Sequence, residues 1–317
     1  MGPLLRRSHN LIGQALRPRT RQAYSSKFRF FMALASFYGV HDVHTEDYML
    51  CFLTYLFDMG VSPASIAGYL AAVKHAFITR GFDTDVFESR LVCLLQKSFS
   101  INAPLKIKTR GIIDINMLQN IINACDYLHH PLLYKAMFLL AFFTFLRISN
   151  LAPLAARDFD TTRHLTRGDV IWGPPGAHLI VKWAKNMQGR RECHVIQIPK
   201  LTKKLLCPVQ TLYSYFNNFP NHAKSPMFIN PSTQTPIIQS NIRQALARVS
   251  TFLNLPPGFI TFHCFRRSGA TFAFNHNVQI QNIQHHGGWK SDSVRLYLTK
   301  SNQGTASVAE TFKKHIL

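Results

Sequence analysis

A mainly α-helical protein in two parts, with one small β-hairpin in the second part, is what this sequence predicts. Three observations predict it. Apolar residues recur at helix-like intervals over most of the chain, as in Tyr24, Phe28, Phe31, Leu34 and Ala35. Only between Asp169 and Pro199 do β-branched residues fall in near alternation. A polar stretch, SFSINAPLKIKTRG at residues 98–111, contains Pro104 and Gly111 and interrupts the apolar periodicity between two helical regions. It reads as the interdomain linker, dividing the chain into residues 1–105 and 106–317. With 317 residues and 47% apolar content there is ample material for a substantial core.

In chain order, residues 20–38 and 62–79 have the helical pattern, so the first part reads as a small helical bundle. Pro18 with Thr20 opens one helix, and Ser62 followed by Pro63 supplies a cap and a first-turn proline for another. After the linker, residues 115–124 and 132–146 read as helices. Residues 178–183 and 194–199 read as two strands of a hairpin whose tip carries Asn186, Gly189, Arg190 and Arg191. From Ser240 onward the pattern is helical again, broken at Pro256, Pro257 and Gly258 and at Gly287 and Gly288. The apolar run from Ala136 to Leu146 is about half of the ~20 residues that a membrane span requires, and Arg147 follows it directly. It reads as a buried helix, and no membrane partner is expected.

Charge narrows the function. Lys and Arg number 36 against 15 Asp and Glu, a net +21 with neutral histidine. That excess does not suit an enzyme of small neutral metabolites and points to a polyanion. Charged residues make up only 16% of the chain, so the positive charge belongs to a folded surface and not to a solvated tail. It is uneven: residues 1–105 have a net +4 and residues 106–317 a net +17. Seven basic residues and no acidic one fall in the first 30 positions, Arg19, Arg21 and Lys27 among them, as suits a DNA-facing arm. The cysteines, Cys51, Cys93, Cys125, Cys193, Cys207 and Cys264, form no C-x-x-C pair and no Cys/His metal pattern, which fits a reducing compartment. No P-loop is present. The eight acidic residues after position 105 include only Asp158 and Asp160 close together, which argues against a two-metal nuclease.

Four segments carry residues suited to phosphate chemistry. FTFLRISNLAP places Arg147 after the apolar helix, where Thr144 is a candidate cap for a second short helix with Arg147 in its first turn. A guanidinium there adds its fork of donors to the N–H groups of a helix start. ITFHCFRRSGATFAF has Thr261 as a cap, with His263 and Arg266 three apart and therefore on one face: a proton acceptor near neutral pH beside a bidentate phosphate ligand. HHGGWKSDSVRLYL breaks a helix at Gly287-Gly288, presents Trp289 and Lys290, and leads through a new cap at Ser291 or Asp292 to Tyr297, the candidate nucleophile. LIVKWAKNMQGRR puts Lys185 near a strand end beside a basic turn. Lys182 competes with it, but strand alternation sends the two to opposite faces, so only one can point into a site. Singly, the first three each have a plain alternative: a snorkelling arginine, a partly buried histidine, and core packing by Val294, Leu296, Tyr297 and Leu298.

Taken in order, Arg147, Lys185, His263-x-x-Arg266, Trp289 and Tyr297, behind a helical first domain, resemble the tyrosine recombinase family over nearly the whole chain. The wording of FLRISNLAP, HLTRGDV, WAKNMQ and the GGW-to-Tyr segment is similar to recombinases of DIRS-like and Ngaro-like retrotransposons, with Crypton-type elements as the alternative. The resemblance implies a core-binding domain over 1–105 and a catalytic domain over 106–317, closing on DNA as a C-shaped clamp. It implies a site-specific recombinase or integrase that cleaves DNA through a 3′-phosphotyrosyl intermediate and rejoins it, integrating a circular mobile-element copy without metal, ATP or another cofactor. Tyr297 is then the nucleophile, Arg147 and Arg266 hold the non-bridging oxygens, and His263 accepts the tyrosine proton or positions the phosphate. Lys185 protonates the departing 5′-oxygen, and Trp289 gives an N–H donor and a packing surface. The implied DNA contacts are Arg19, Arg21, Lys27, Lys74, Arg190, Arg191, Arg267 and Lys290. The implied partners are duplex DNA with short repeated or inverted sites and three further copies of the chain, in a tetramer on DNA. A C-terminal helix over residues 305–317 docks in cis or in trans. The implied location is intracellular, and nuclear in a eukaryotic host.

Three departures from the family pattern bear on activity. Asn150 stands where an acidic residue usually follows the first arginine, Trp289 and Tyr297 are eight positions apart instead of nine, and Arg267 replaces a frequent histidine. None removes a reactive group. The rival of a different class is an inactive DNA-binding protein descended from such an enzyme, and a relaxing topoisomerase of the same chemistry is a third reading.

Overall fold

The computed structural model describes residues 2–104, 111–174, 176–182, 193–290, 292–296 and 298. The chain divides into two compact units, residues 1–107 and 108–317. Among the described residues the protein is mainly helical, with one small three-stranded antiparallel sheet, the class that the sequence predicts. No described helix is long and apolar enough to cross a membrane.

The first unit is built from α1 (Gly2–Gln14), α2 (Pro18–Phe37), α3 (Glu46–Asp58), α4 (Pro63–Arg80) and α5 (Arg90–Asn102). Their starts follow from local chemistry. Pro18 occupies the first turn of α2 with Arg17, not Thr20, at the cap position, because the proline needs no N–H partner there. The Thr45 hydroxyl accepts the Tyr48 N–H at 3.3 Å to open α3, and Ser62 does the same for Ser65 at 3.4 Å ahead of Pro63 in α4. Gly81, at φ +74°, closes α4 in the left-handed conformation that glycine adopts without strain. Aromatic rings fill the core: Phe31, Phe52 and Phe77 are all but fully buried, and Phe31 meets Phe52 edge-on at 4.9 Å.

One boundary differs from the sequence expectation. Helix α5 runs to Asn102, so residues 98–102 are its last turns and not the start of the linker. Phe99 decides this: it is 4% exposed and stacks on Phe57 of α3 at 4.5 Å, so the surrounding polar residues are the solvent side of a docked helix. The chain leaves the helix at Ala103, just before Pro104.

In the second unit α6 (Ile115–Ala124) leads to α7 (Pro131–Thr144), a helix apolar on every side. Residues 136–142 are at most 1% exposed, enclosed by the surrounding helices and the sheet. After α7 come the single turn α8 (Ile148–Leu151) and a sheet of β1 (Val170–Gly173), β2 (Gly176–Val181) and β3 (His194–Pro199), in that spatial order. Strand alternation puts Ala177, Leu179, Val181, Ile196 and Ile198 into the core, with Leu179 paired to Ile196 and Val181 to His194. β1 is four residues long, too short for alternation to announce it. Strand β2 ends at Val181, short of the expected Trp183, and Lys182 turns back to pair with buried Asp169 at 2.7 Å. Helices α9 (Pro208–Asn218), α10 (Gln239–Phe252), α11 (Phe262–Asn275) and α12 (Ile280–His286) complete the unit.

Candidate active site

The site grows from the end of α7. Thr144 does not cap the next helix as the sequence suggested; its hydroxyl donates back to the Leu140 carbonyl at 2.5 Å, inside α7. Phe145 then reverses the chain at φ +51°, a left-handed conformation costly for a large side chain. Arg147 follows in extended backbone as the residue capping α8, half-buried. Buried Asn150 fixes it from three residues on. Its Oδ1 accepts the Arg147 N–H at 3.3 Å, and its own N–H donates to the Arg147 carbonyl at 2.9 Å. The residue that departs from the family's acidic type therefore still supplies an oxygen acceptor to the backbone that carries the arginine.

Helix α11 brings the second pair. Thr261 stands at the cap position, as expected, and Phe262 and Phe265 pin the helix to the core. Three residues apart, His263 and Arg266 flank the Phe145–Ile148 turn. Half-buried His263 shares a cavity of about 440 Å³ with Ile148, Arg243 and Ser250. Arg266, only 2% exposed, donates through Nη1 to the Phe145 carbonyl and through Nη2 to the Gly287 carbonyl at 3.0 Å. Its guanidinium carbon lies 3.7 Å from the centroid of the Trp289 ring, a cation–π contact in a desolvated setting.

The GGW turn closes the site. A Cβ on Gly287 would stand 1.8 Å from the Trp289 ring, and Gly288 sits at φ +64°. One glycine makes room and the next supplies the backbone angle. Trp289 is 5% exposed, packs on Phe145 at 6.2 Å, and its backbone N–H donates to Gln284 at 2.9 Å. The segment after it is a short 3₁₀ stretch, Asp292–Leu296, with Val294 fully buried against Phe145, Ala270, Ile283 and Trp289.

Arg147, His263, Arg266 and Trp289 thus meet around one turn. Lys185, Arg190, Arg191, Tyr297 and residues 305–317 lie outside the described residues. Of the expected DNA contacts, Arg19, Arg21 and Lys290 are exposed and Arg267 is half-buried. Lys27 rests over the Tyr69 ring at 5.0 Å, and Lys74 pairs with Glu88 at 2.8 Å, an exposed ion pair of small energetic weight. Lys182, engaged with Asp169 and with the Thr161 carbonyl at 3.3 Å, is committed elsewhere.

Sequence reasoning missed Arg243, His194 and His286. Arg243 shares the His263 cavity from a helix with no motif of its own. His286 donates to the Phe143 carbonyl at 2.8 Å, and burial pushes its pKa below the ordinary value against the raising effect of that bond. Neighbouring His194 and His285 push it the same way. Such an imidazole is neutral when folded and takes a proton more readily when unfolded. Its contribution to stability is therefore complete above the ordinary pKa, about 6.5, and is lost as pH falls from there through the depressed folded value. Thermal melts taken from about pH 7.5 down to about pH 5.5 should show Tm falling, less steeply in His286→Gln, which cannot titrate. Parallel slopes would remove His286 from the acid response.

Residues 112–303 match the phage integrase family. The fold is similar to that of a lambda integrase tetramer bound to a Holliday junction, at TM-score 0.62 and 20% identity, covering 93% of this chain and 76% of that one. It is similar to XerH site-specific recombinase in a post-cleavage complex with its palindromic difH substrate, at TM-score 0.63 and 16% identity, over 90% and 77% of the two chains. It is also similar to the Tn1549 transposon integrase in complex with transposon right-end DNA, at TM-score 0.58 and 13% identity, over 86% of each chain. At these identities the likeness is one of fold. No match is found among curated proteins.

Proposed function

Because the chain belongs to the phage integrase family of tyrosine recombinases, matched over more than half its length, we propose that it is a site-specific DNA recombinase that integrates a mobile element's DNA. Residues 1–105 form the core-binding domain and residues 106–317 the catalytic domain. The Tyr297 oxygen attacks a DNA phosphorus, His263 takes its proton, and the bond to the 5′-oxygen breaks as Lys185 protonates it. A 3′-phosphotyrosyl link and a free 5′-hydroxyl result. The 5′-hydroxyl of a partner strand then attacks that phosphorus and releases the tyrosine, so the number of phosphodiester bonds is conserved. Arg147 and Arg266 stabilise the charge that gathers on the non-bridging oxygens, each by about 3–4 kcal/mol of barrier by analogy with other preorganised donors. Trp289 supports Arg266 from below.

The supporting observation is that His263 and Arg266 of α11 and Trp289 of the GGW turn, more than 100 residues further along the chain, gather at the Phe145–Ile148 turn that carries Arg147. Duplex DNA with short related sites is the substrate, contacted by Arg19, Arg21, Lys27, Lys74, Arg190, Arg191, Arg267 and Lys290. The lambda integrase tetramer on a Holliday junction is the precedent for assembly as a tetramer. The retrotransposon-like wording around Arg147 and Tyr297 favours a circular element copy as donor, with the reaction in the nucleus of a eukaryotic host.

Covalent trapping on a library of nicked duplexes tests this. The intact protein should give a protein–DNA adduct that Tyr297→Phe does not, and sequencing the trapped ends should reveal the cleavage site. An adduct that survives in the Phe variant would remove Tyr297 from the reaction. No adduct from either, with salt-sensitive binding retained, would make the chain an inactive DNA-binding protein. If roughly six to ten phosphates are contacted, the +21 charge predicts affinity falling ~10³- to 10⁵-fold between about 50 and 200 mM salt; a flat response would contradict an electrostatic interface.

A further inference from the structure

Two histidines that the proposed chemistry does not use hold the walls on either side of Arg266. His194, the first residue of β3, lies 3.0 Å through Nε2 from the His286 carbonyl, and His286 lies 2.8 Å through Nε2 from the Phe143 carbonyl. Both acceptors are carbonyl oxygens, so each imidazole carries its hydrogen on Nε2. The carbonyls that receive Arg266 lie just beyond on the same two backbone segments: Phe145, two residues after Phe143, and Gly287, directly after His286. The His194 ring also lies against the turn, 4.0 Å from where a Cβ on Gly288 would stand, and meets His285 edge-on at 5.3 Å. The succession runs from the sheet through α12 to the end of α7, and Arg266 bridges the same two segments.

We propose that His194 and His286 are positioning residues that set the separation of the Phe145 and Gly287 carbonyls and, through it, the placement of the Arg266 guanidinium at the reacting phosphate. This rests on the functional reading above. The requirement is a single N–H at the reach of imidazole Nε2. Glutamine places an amide N–H at a similar reach, whereas asparagine falls short and leaves a half-exposed polar residue that folds without difficulty. His194→Gln and His194→Asn therefore separate positioning from mere tolerance.

Two measurements on the full chain decide it. The first does not depend on activity: with Trp172 and Trp183 replaced by phenylalanine, acrylamide quenching reports on Trp289 alone, the ring beneath Arg266. Quenching should rise in His194→Asn and stay at the parent level in His194→Gln. Unchanged quenching in both overturns the proposal whether or not the protein cleaves DNA. The second is single-turnover cleavage of a trapped site carrying either oxygen or sulfur at the 5′-bridging position. Displacement of an ångström or so at a reacting centre costs on the order of 10²-fold, so His194→Asn should cleave about 10- to 100-fold more slowly, with DNA affinity unchanged and His194→Gln near the parent rate. A thiolate leaves without protonation, whereas the arginines act on the non-bridging oxygens whichever atom leaves. The slowing should therefore be equal on the two substrates. A defect that vanishes on the sulfur substrate would place His194 with protonation of the leaving group and overturn its link to Arg266. A parent protein that gives no adduct on either substrate, yet shows the quenching pattern, would fail the functional reading while leaving the positioning intact.

Discussion

Replacing Arg266 with alanine is expected to destabilise the second unit by about 3–5 kcal/mol and to abolish covalent adduct formation. Two charge-assisted hydrogen bonds, to the Phe145 and Gly287 carbonyls, are lost together, and both oxygens are left inside a site where Arg266 itself is only 2% exposed. An unpaired buried acceptor costs on the order of 1–3 kcal/mol, and the cation–π contact with Trp289 adds about 1–2 kcal/mol in a desolvated setting. Some of this returns as the turn relaxes or water enters, which keeps the expectation below the sum. Urea unfolding measures the stability loss, and a change under about 1 kcal/mol would mean that the guanidinium does not brace the turn. Arg266→Lys separates bracing from chemistry. The ammonium keeps the charge but cannot span two carbonyls and a phosphate as a planar fork does, so the variant should fold yet form little adduct.

The features that were legible in the sequence are those whose cause is local. The helix at 115–124 and the strand at 194–199 appear with the bounds that periodicity gives them, because their alternation between core and solvent is set residue by residue. Ser62-Pro63 and the Gly287-Gly288 break are likewise written in neighbouring residues. Features decided by contact between distant segments were not legible. Phe99 keeps α5 helical into the expected linker because Phe57 is there to stack on it, and β1 exists because β2 offers it an edge. The same division holds in the site. His263 and Arg266 share one helix turn and were readable as a pair, and Arg147 followed from the helix before it. His194 and His286 were not readable, because their partners are carbonyl oxygens of residues 92 and 143 positions away, and a backbone oxygen leaves no mark in a sequence. Asn150 had been a departure from a pattern; its geometry gives it a local task that an amide oxygen performs.

Gly269→Ala is expected to cost more activity than stability, because of where α11 presses on α7. A Cβ at this position would stand 2.1 Å from the Phe142 carbonyl oxygen and 2.7 Å from the nearest atom of the Phe145 ring. Neither can swing aside. Phe142 belongs to a helix buried on every side, and Phe145 is held at φ +51° with its carbonyl receiving Arg266. Helix α11 must therefore move outward by about 1 Å to restore van der Waals contact. Overpacking of this kind costs roughly 1–3 kcal/mol, against which alanine returns about 0.5–1 kcal/mol of helix propensity over glycine. The net loss of stability should be about 1–2 kcal/mol, a measurable shift in the unfolding midpoint that leaves the protein folded. The effect on cleavage is larger because the displaced helix carries both His263 and Arg266, about two turns and one turn before Gly269 respectively. An ångström of misplacement for both at once should slow single-turnover cleavage by about 10²-fold or more. Gly269→Ser should behave alike, since any Cβ meets the same carbonyl. If Gly269→Ala cleaved at the parent rate while unfolding earlier, α11 would have absorbed the added carbon without moving its N-terminal turns. The positions of His263 and Arg266 would then be set from the GGW side of the site and not by the end of α7.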